Sequence, residues 1–283
     1  MKIGKLYLVG TPIGNLEDMT FRAIKTLESV DLIAAEDTRH TGKLLQYFKI
    51  TTPQISYHDH NHHSRLQTLL NHLQQGKDLA LVTDAGMPGI SDPGYELVQA
   101  CLIEKIEVIP IPGVTALITA IVTSGLPTDR FVFEGFLPTK GKERQALLQV
   151  LQAESRTLIF YEAPHRLLET LTDLAQVLGN ERSLVTAREL TKLHEEFWYG
   201  TLAEGVAHYT QTTPKGEFTL VVGGQSSGDR VIPSDAILRG ELAQLLAEGM
   251  SRSQASRHLA ELTQMSRRHL YQLALDLSDK NLL

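Results

Sequence analysis

The segment AEDTRHTGK places two carboxylates ahead of three basic side chains. The carboxylates of Glu36 and Asp37 can accept a proton during a reaction, and the basic groups of Arg39, His40 and Lys43 can hold an anion such as a phosphate. A second interpretation is a solvated turn between a strand and a helix, in which these charges pair with one another. From the residue types alone the second interpretation is the better one, so a reactive role depends on what surrounds the segment.

Glycine and proline shape a second segment, TDAGMPGISDPG, which begins where an apolar run ends. Gly86 and Gly89 allow positive φ or the close approach of a ligand, while the prolines restrict the backbone. Asp84 can accept hydrogen bonds from a ribose or an amino group. The start of the next helix, with a proline in its first turn, explains Asp92, so Asp92 is not predicted to be catalytic. We expect a stiff, curved surface that holds a ligand.

Two further loops, GTPIGNL and IPGVTA, also follow strand patterns. The first is neither a P-loop nor G-x-G-x-x-G, and Pro12 removes an N–H that a phosphate cradle would use. It suits a neutral or cationic ligand, although a tight surface turn explains it equally well. In the second loop, Gly113 precedes an apolar helix whose N-terminus can bind a carboxylate. Three such loops after three strands predict a pocket at the carboxyl edge of one sheet.

The histidine-rich segment YHDHNHH raises the question of a metal. In an extended segment His58 and His60 project to the same side. A metal site also needs fixed geometry and supporting hydrogen bonds, and a polar histidine tract is more often a solvated loop. We therefore expect no metal.

Alternating strands and helices must position these segments. Strand patterns at KLYLVG, LIAAED, LALVTD and IEVIPI alternate with helical patterns, one of which has Thr20 as a candidate N-cap. This alternation predicts a mostly parallel sheet covered by helices. GVTALITAIVTSG is almost wholly apolar and predicts a buried helix. A second round of five strand patterns, starting near Arg130, has shorter connections and favours a mixed or antiparallel sheet.

The composition changes at GGQSSGDR, which has the character of a linker. The residues that follow predict helices, two of them opening with serine, in an arrangement that resembles a helix-turn-helix. A small helical cap on the body is an equally good interpretation. The predicted fold class is α/β, with an N-terminal α/β domain over 1–125, a second α/β domain over 126–224, and a linker with a helical region over 225–283.

Composition limits the classes of function. The chain has 283 residues, of which 42% are hydrophobic and 21% charged, as in a soluble globular protein. No apolar run reaches the roughly 20 residues of a membrane span, and the start is too weakly apolar for a signal peptide. The single Cys101 excludes an intrachain disulfide, which favours the cytoplasm. Because the net charge is −6, any nucleic acid must be held by local basic patches.

The ordered set of motifs is similar to a known family. GTPIGNLEDMTFRA, AEDTRHTGKLL, TDAGMPGISDPG, IPGVTA, FYEAPHRL and REL occur in this order, and together with the C-terminal helices they resemble the small-subunit rRNA methyltransferase I family of the tetrapyrrole-methylase superfamily. The resemblance implies two α/β domains with S-adenosylmethionine in the cleft between them, usually in a homodimer. It also implies methyl transfer to the ribose 2′-oxygen of a cytidine in the decoding region of 16S rRNA, within the small ribosomal subunit.

The resemblance also implies roles for particular residues. Glu36, Asp37 and Arg39 become the candidate catalytic residues. The implied cofactor-binding residues are Pro12, Asp84, Ala85, Gly86, Ile90, Ser91, Val114, Thr115, Tyr161 and Leu190. The candidate RNA-binding residues include three basic side chains of LPTKGKER, which is predicted to be a mobile loop, and four arginines of the C-terminal helices. The full set is His40, Lys43, His58, Lys140, Lys142, Arg144, Arg252, Arg257, Arg267 and Arg268.

Two alternatives remain open. One is another methylase of the superfamily, acting on a tetrapyrrole or another small molecule, although AEDTRHTGK and the helical tail argue against it. The other is a protein without enzymatic activity, in which the helix-turn-helix binds nucleic acid and the α/β body senses a ligand.

Overall fold

A computed structural model describes residues 3–225, 235–263 and 265–279 of the chain. The chain divides after Gln225 into two compact units. Ser226, Ser227 and Gly228 of the predicted linker lie outside the described residues. Within the described residues no helix is both long enough and apolar enough to cross a bilayer.

The first unit opens with a parallel sheet of five strands in the order β3-β2-β4-β1-β5. Helices alternate with these strands, as the sequence predicts, and apolar clusters cover both faces of the sheet. The elements are β1 (Leu6–Val9), α1 (Phe21–Ser29), β2 (Leu32–Ala35), α2 (Thr38–Tyr47), β3 (Gln54–Ser56), α3 (His62–Gln74), β4 (Leu79–Val82), α4 (Tyr95–Ile103), β5 (Val108–Ile111) and α5 (Ala116–Thr123). The predicted N-cap of α1 is confirmed, because the Thr20 hydroxyl accepts a hydrogen bond from the Ala23 N–H at 3.1 Å.

The second sheet is mixed, as predicted, in the order β6-β7-β10-β8-β9. Only β6 and β7 are parallel, and the other neighbours are antiparallel. Its elements are β6 (Phe131–Phe136), α6 (Gly141–Leu151), β7 (Thr157–Glu162), α7 (Leu167–Leu178), β8 (Ser183–Arg188), β9 (Glu196–Thr201), α8 (Leu202–Gln211) and β10 (Phe218–Val222). Helix α8 was not predicted from the sequence; it begins with a capping box between Thr201 and Glu204.

Helix α5 connects the two sheets. Its buried residues Ala120 and Ile121 pack against β7, β8 and β10 of the second sheet, although α5 follows the first sheet in the chain. The prediction that α5 is a buried helix is only half right, because Ile118 and Val122 are exposed on its other face. Only the side of α5 that faces the second sheet is covered.

The second unit contains three helices, α9 (Asp235–Ala247), α10 (Arg252–Thr263) and α11 (Arg267–Asp279). Leu238, Leu242, Leu259, Leu270 and Leu273 are buried among them and form their own small core. Helix α10 opens with serine as predicted: the Ser251 hydroxyl accepts from the Gln254 N–H at 3.3 Å, and the Gln254 side chain accepts from the Ser251 N–H at 2.9 Å.

Candidate active site at the carboxyl edge of the parallel sheet

The loops that follow β1, β4 and β5 meet at one edge of the first sheet, as the sequence predicts. Thr11 and Gly86 exchange both backbone hydrogen bonds, at 2.9 and 3.0 Å. Gly10 and Gly113 lie back to back, and a Cβ on Gly10 would be 2.7 Å from the Gly113 Cα. Only glycine permits this close approach, which joins the three loops into one surface.

An apolar cavity of about 380 Å³ opens between this surface and the second sheet. Gly86, Met87 and Thr115 line it from the first half of the chain, and Phe136 and Tyr161 from the second. Three carboxylate side chains line it, those of Asp92, Glu162 and Glu217. Among the described residues, no lysine or arginine lines it. The cavity therefore suits an uncharged or cationic ligand.

A basic cavity of about 490 Å³ adjoins the apolar one. Basic side chains come from α2 and from the loop after β8; they are His40, Lys43 and Lys192, and the cavity is named after them. Two carboxylates, those of Asp84 and Glu217, also line it. The two cavities share three lining residues, Ile13, Ala85 and Glu217. A ligand in one cavity would therefore lie next to a ligand in the other.

The structure brings most of the predicted cofactor residues to these cavities. Ala85, Gly86, Ile90, Ser91, Thr115 and Tyr161 line the apolar cavity, while Pro12, Asp84 and, again, Ala85 line the basic one. Val114 lines neither, although its carbonyl oxygen lies near Gly86. The Leu190 side chain also lines neither, because it is buried in the hydrophobic cluster that joins α5 to the second sheet.

Asp37 is tied to local structure. It is the N-cap of α2, where it accepts from the Arg39 N–H at 2.8 Å, and its carboxylate forms an ion pair with the Arg39 guanidinium at 2.6 Å. Hydrogen bonds from Arg39 hold the pKa of Asp37 well below its usual range. In this structure each side chain is therefore the main partner of the other. The roles predicted for Asp37 as a proton acceptor and for Arg39 in holding an anion stay predictions.

In a second group of carboxylates, formed by Glu36, Asp84 and Asp92, two members have a raised pKa instead of a lowered one. Glu36 accepts from the Asp84 N–H at 3.2 Å, and Asp84 accepts from the Asp37 N–H at 3.3 Å. Burial raises the pKa of Glu36. Burial, followed by the charge of Glu36, raises the pKa of Asp92 to about 7. Helix α4 begins only at Tyr95, its N-cap is Gly94, and no side chain caps it. The explanation of Asp92 as part of a helix start is therefore wrong.

The predicted RNA-binding residues separate into several places. His40 and Lys43 line the basic cavity, whereas Lys140 and Lys142 are exposed near the start of α6, outside both cavities. His58 bonds through its backbone N–H to the Asn61 side chain at 2.9 Å, and the histidine tract runs directly into α3, so it is not an open loop. Arg252, Arg257, Arg267 and Arg268 are exposed on α10 and α11.

The position of Arg144 contradicts the prediction that it binds RNA. The segment around it forms the first turns of α6 rather than a mobile loop, and only 5% of Arg144 is exposed. Its guanidinium donates to Asp173 at 2.8 Å, to the Pro138 carbonyl at 2.9 Å and to the Thr170 hydroxyl at 3.1 Å. A buried cation with these partners is a structural group and cannot also hold RNA phosphates.

Two further residues, Lys192 and Glu217, line the basic cavity and were not predicted from the sequence. Lys192 lies in a loop of the second sheet, and nothing in its local sequence distinguishes it from a solvated charge. Across 3–225, 235–263 and 265–279, no group of three or more histidine, cysteine, aspartate or glutamate side chains is arranged to hold a metal.

Comparisons with known proteins agree with this architecture. A sequence model of the family described as Tetrapyrrole (Corrin/Porphyrin) Methylases matches residues 5–205, and one described as RsmI C-terminal HTH domain matches residues 235–278. The latter confirms the predicted helix-turn-helix. A crystal structure of uroporphyrin-III C-methyltransferase from Thermus thermophilus, complexed with S-adenosyl homocysteine, covers 78% of this chain and 97% of its own with a TM-score of 0.56. At 20% identity that likeness shows the fold alone.

Curated relatives from several bacteria carry the name ribosomal RNA small subunit methyltransferase I. The protein from Synechocystis sp. is 66% identical over 97% of this chain and 99% of its own length. The protein from Thermotoga maritima is 50% identical over 79% of this chain and 100% of its own length. The identity to the Synechocystis protein extends over nearly the whole of that protein and of this chain, and it shows that the chain belongs to the ribosomal RNA small subunit methyltransferase I family.

Proposed function

We propose that the protein transfers the methyl group of S-adenosylmethionine to the ribose 2′-oxygen of a cytidine in the decoding region of 16S rRNA. The observation that carries this proposal is the contact between two cavities of different chemistry, which share Ile13, Ala85 and Glu217. Donor and acceptor in adjoining pockets can be held close and in line, and such positioning supplies much of the acceleration of a displacement reaction.

The apolar cavity fits the cofactor. Its volume of about 380 Å³ lies within the usual range for small-molecule sites. Carboxylates and backbone carbonyls suit a sulfonium cation, and the lack of basic lining residues fits a ligand without phosphate. S-adenosylmethionine, when bound, supplies an electrophilic methyl group on a positively charged sulfur. Gly86, Thr115 and Tyr161 would hold it, and the proposed reaction uses no metal.

The basic cavity suits the acceptor strand. His40, Lys43 and Lys192 can contact RNA phosphates, which position a substrate without reading its bases. The hydroxyl proton must leave as the new oxygen–carbon bond forms. We assign its acceptance to the group formed by Glu36, Asp84 and Asp92, because Glu36 and Asp92 have raised pKa values and therefore a greater proton affinity than Asp37.

Further parts of the proposal concern the setting of the reaction. The names of the curated relatives support the small ribosomal subunit as the source of the RNA. A homodimer in the cytoplasm is the expected state. A docking role for the helix-turn-helix, with the reaction centre in the first unit, is the remaining part of the proposal; the exposed arginines Arg252, Arg257, Arg267 and Arg268 support it.

The test is transfer of a labelled methyl group to purified small subunits, to naked 16S rRNA and to a porphyrin precursor. A porphyrin carries several carboxylates, which would also suit basic side chains, so the comparison is needed. Digestion of the product RNA to nucleosides should yield 2′-O-methylcytidine, and transfer should persist with a chelator. Methylation of the porphyrin alone would identify a small-molecule methylase, and cofactor binding without any transfer would identify a sensor.

A further inference from the structure

The loop between β8 and β9, Glu189–Glu195, is held in an unusual shape. Glu189 and Thr191 have φ angles of 50° and 66°, a left-handed conformation that residues with a side chain rarely adopt. Backbone bonds from Lys192 N–H to Glu189 O, at 3.0 Å, and from Glu195 N–H to Lys192 O, at 3.1 Å, fold the loop on itself. The Glu195 carboxylate also accepts from the Thr191 N–H at 2.6 Å. These hydrogen bonds therefore hold the backbone of the loop in one conformation.

Lys192 anchors this loop at the basic cavity. Its ammonium group donates to Glu189 and to Glu217, each at 2.9 Å. Although burial lowers the pKa of Lys192, these two bonds outweigh burial and raise it, so the side chain stays charged. Its stem lies directly against Gly14, where a Cβ would collide with it. The loop is thus fixed to the surface that lines the basic cavity.

Leu193, the next residue, is unprotected. It is 93% exposed, more than any other large hydrophobic side chain among the described residues. Single exposed apolar residues are common on protein surfaces. This one differs because it sits in a hydrogen-bonded loop directly after Lys192, which lines the basic cavity. An exposed apolar side chain on a hydrogen-bonded loop, next to a lysine proposed to contact RNA phosphates, resembles the wedges that proteins insert between base steps.

We propose that the Glu189–Glu195 loop opens the RNA strand at the basic cavity: Leu193 inserts between the target nucleotide and its neighbour, while Lys192 contacts the adjoining phosphate. This inference rests on the proposed function. An unstacked nucleotide can move its ribose into the cleft, whereas a stacked one is held away from it, and unstacking costs free energy that an inserted side chain can offset. The Glu217 partner of Lys192 is 80% exposed, so a phosphate can replace it easily.

The test uses Leu193→Ser, Leu193→Phe and a control, Val150→Ser, which changes a side chain of α6 that is 74% exposed and lines neither cavity. Small subunits are assembled with 16S rRNA ligated from a transcript and a synthetic segment, once with the normal nucleotide beside the mapped target and once with an abasic one. We expect Leu193→Ser to lower kcat/KM about tenfold on normal subunits, as loss of a wedge should.

On abasic subunits Leu193→Ser should come within about threefold of wild type, since the target is already unstacked. Leu193→Phe should keep most activity because an aromatic wedge also separates bases, and Val150→Ser should match wild type on both substrates. An equal loss on normal and abasic subunits, or no loss, overturns the inference, as does a change in oligomeric state by light scattering without a change in kcat/KM. Failure of wild-type protein to methylate either substrate instead overturns the proposed function.

Discussion

The Tyr161 phenol oxygen accepts a hydrogen bond from the backbone N–H of Leu117, in the first turn of α5, at 3.2 Å. At the other end of the same helix, the Tyr199 hydroxyl donates to the Thr123 carbonyl at 3.1 Å. Two tyrosines of the second sheet therefore hold a helix that follows the first sheet. The Tyr161 bond also occupies one of the helix N-terminal N–H groups to which the sequence analysis assigned a carboxylate.

These two tyrosines form a matched pair for testing the apolar cavity. Tyr161 lines the cavity and Tyr199 does not. Each change to phenylalanine removes one hydrogen bond to α5 and should lower the free energy of unfolding by about 1 kcal/mol. Only Tyr161→Phe should also weaken binding of S-adenosylhomocysteine, by about fivefold, in calorimetry. Equal cofactor affinities for the two variants would place the cofactor outside the apolar cavity.

Local sequence signals predicted the elements and loops that depend on neighbours in the chain. Thr20 caps α1 through a residue three positions away, and the Gly/Pro segment from Asp84 carries its own backbone restrictions. Asp92 could not be recognised in this way, because its raised pKa depends on burial and on Glu36 of another loop. Arg144 was misassigned for the same reason: its partner Asp173 lies on α7. Lys192 and Glu217 also line the basic cavity, but they are far in sequence from its other lining residues and reach it only through the tertiary fold.

Asp92 gives the protein a predicted pH dependence. Its pKa is raised to about 7, whereas in the unfolded chain it is about 3.9. Between these values the native state keeps a proton that the unfolded state has released, so the free energy of unfolding should fall as the pH rises from about 4 to about 7. Asp92→Asn, which stays neutral, should remove that fall and be more stable than wild type at pH 8 by roughly 1–3 kcal/mol.

The same variant tests the proton acceptor. In wild type, ionisation of Asp92 should raise the rate of methyl transfer as the pH passes about 7, and Asp92→Asn should lower the rate and flatten its pH profile. Asp59→Asn is the control, since Asp59 is an exposed carboxylate that acts on Asp92 only through its charge. Measurements are denaturant titrations and single-turnover rates from pH 5 to 9. A full rate for Asp92→Asn, with an unchanged profile, would exclude Asp92 as the acceptor.

The buried position of Arg144 makes a prediction about stability. Arg144→Met keeps much of the side-chain volume but leaves Asp173, Thr170 and the Pro138 carbonyl without their donor. We expect the free energy of unfolding to fall by about 2–4 kcal/mol in urea titrations, with RNA affinity of the folded protein unchanged. Lys142→Met, at an exposed position on the same helix, should leave stability within about 0.5 kcal/mol. Loss of RNA affinity in folded Arg144→Met would restore its predicted role.

The last prediction concerns the helix-turn-helix. Arg267 and Arg268 are exposed at the start of α11, and Arg267 makes a hydrogen bond to the Ser253 hydroxyl at 3.0 Å. If both contact phosphates, replacing them by alanine should weaken RNA binding and reduce the slope of log K against log salt by about 2. Saturating turnover should change less than apparent affinity, because the proposed reacting groups lie in the first unit. Arg239→Ala is the control, since the Arg239 charge is already paired with Asp276 at 3.4 Å, and its salt slope should match that of wild type. A helical region that only packs or dimerises predicts the reverse: the double variant keeps its affinity and slope, while removal of residues 235–283 changes the mass measured by light scattering.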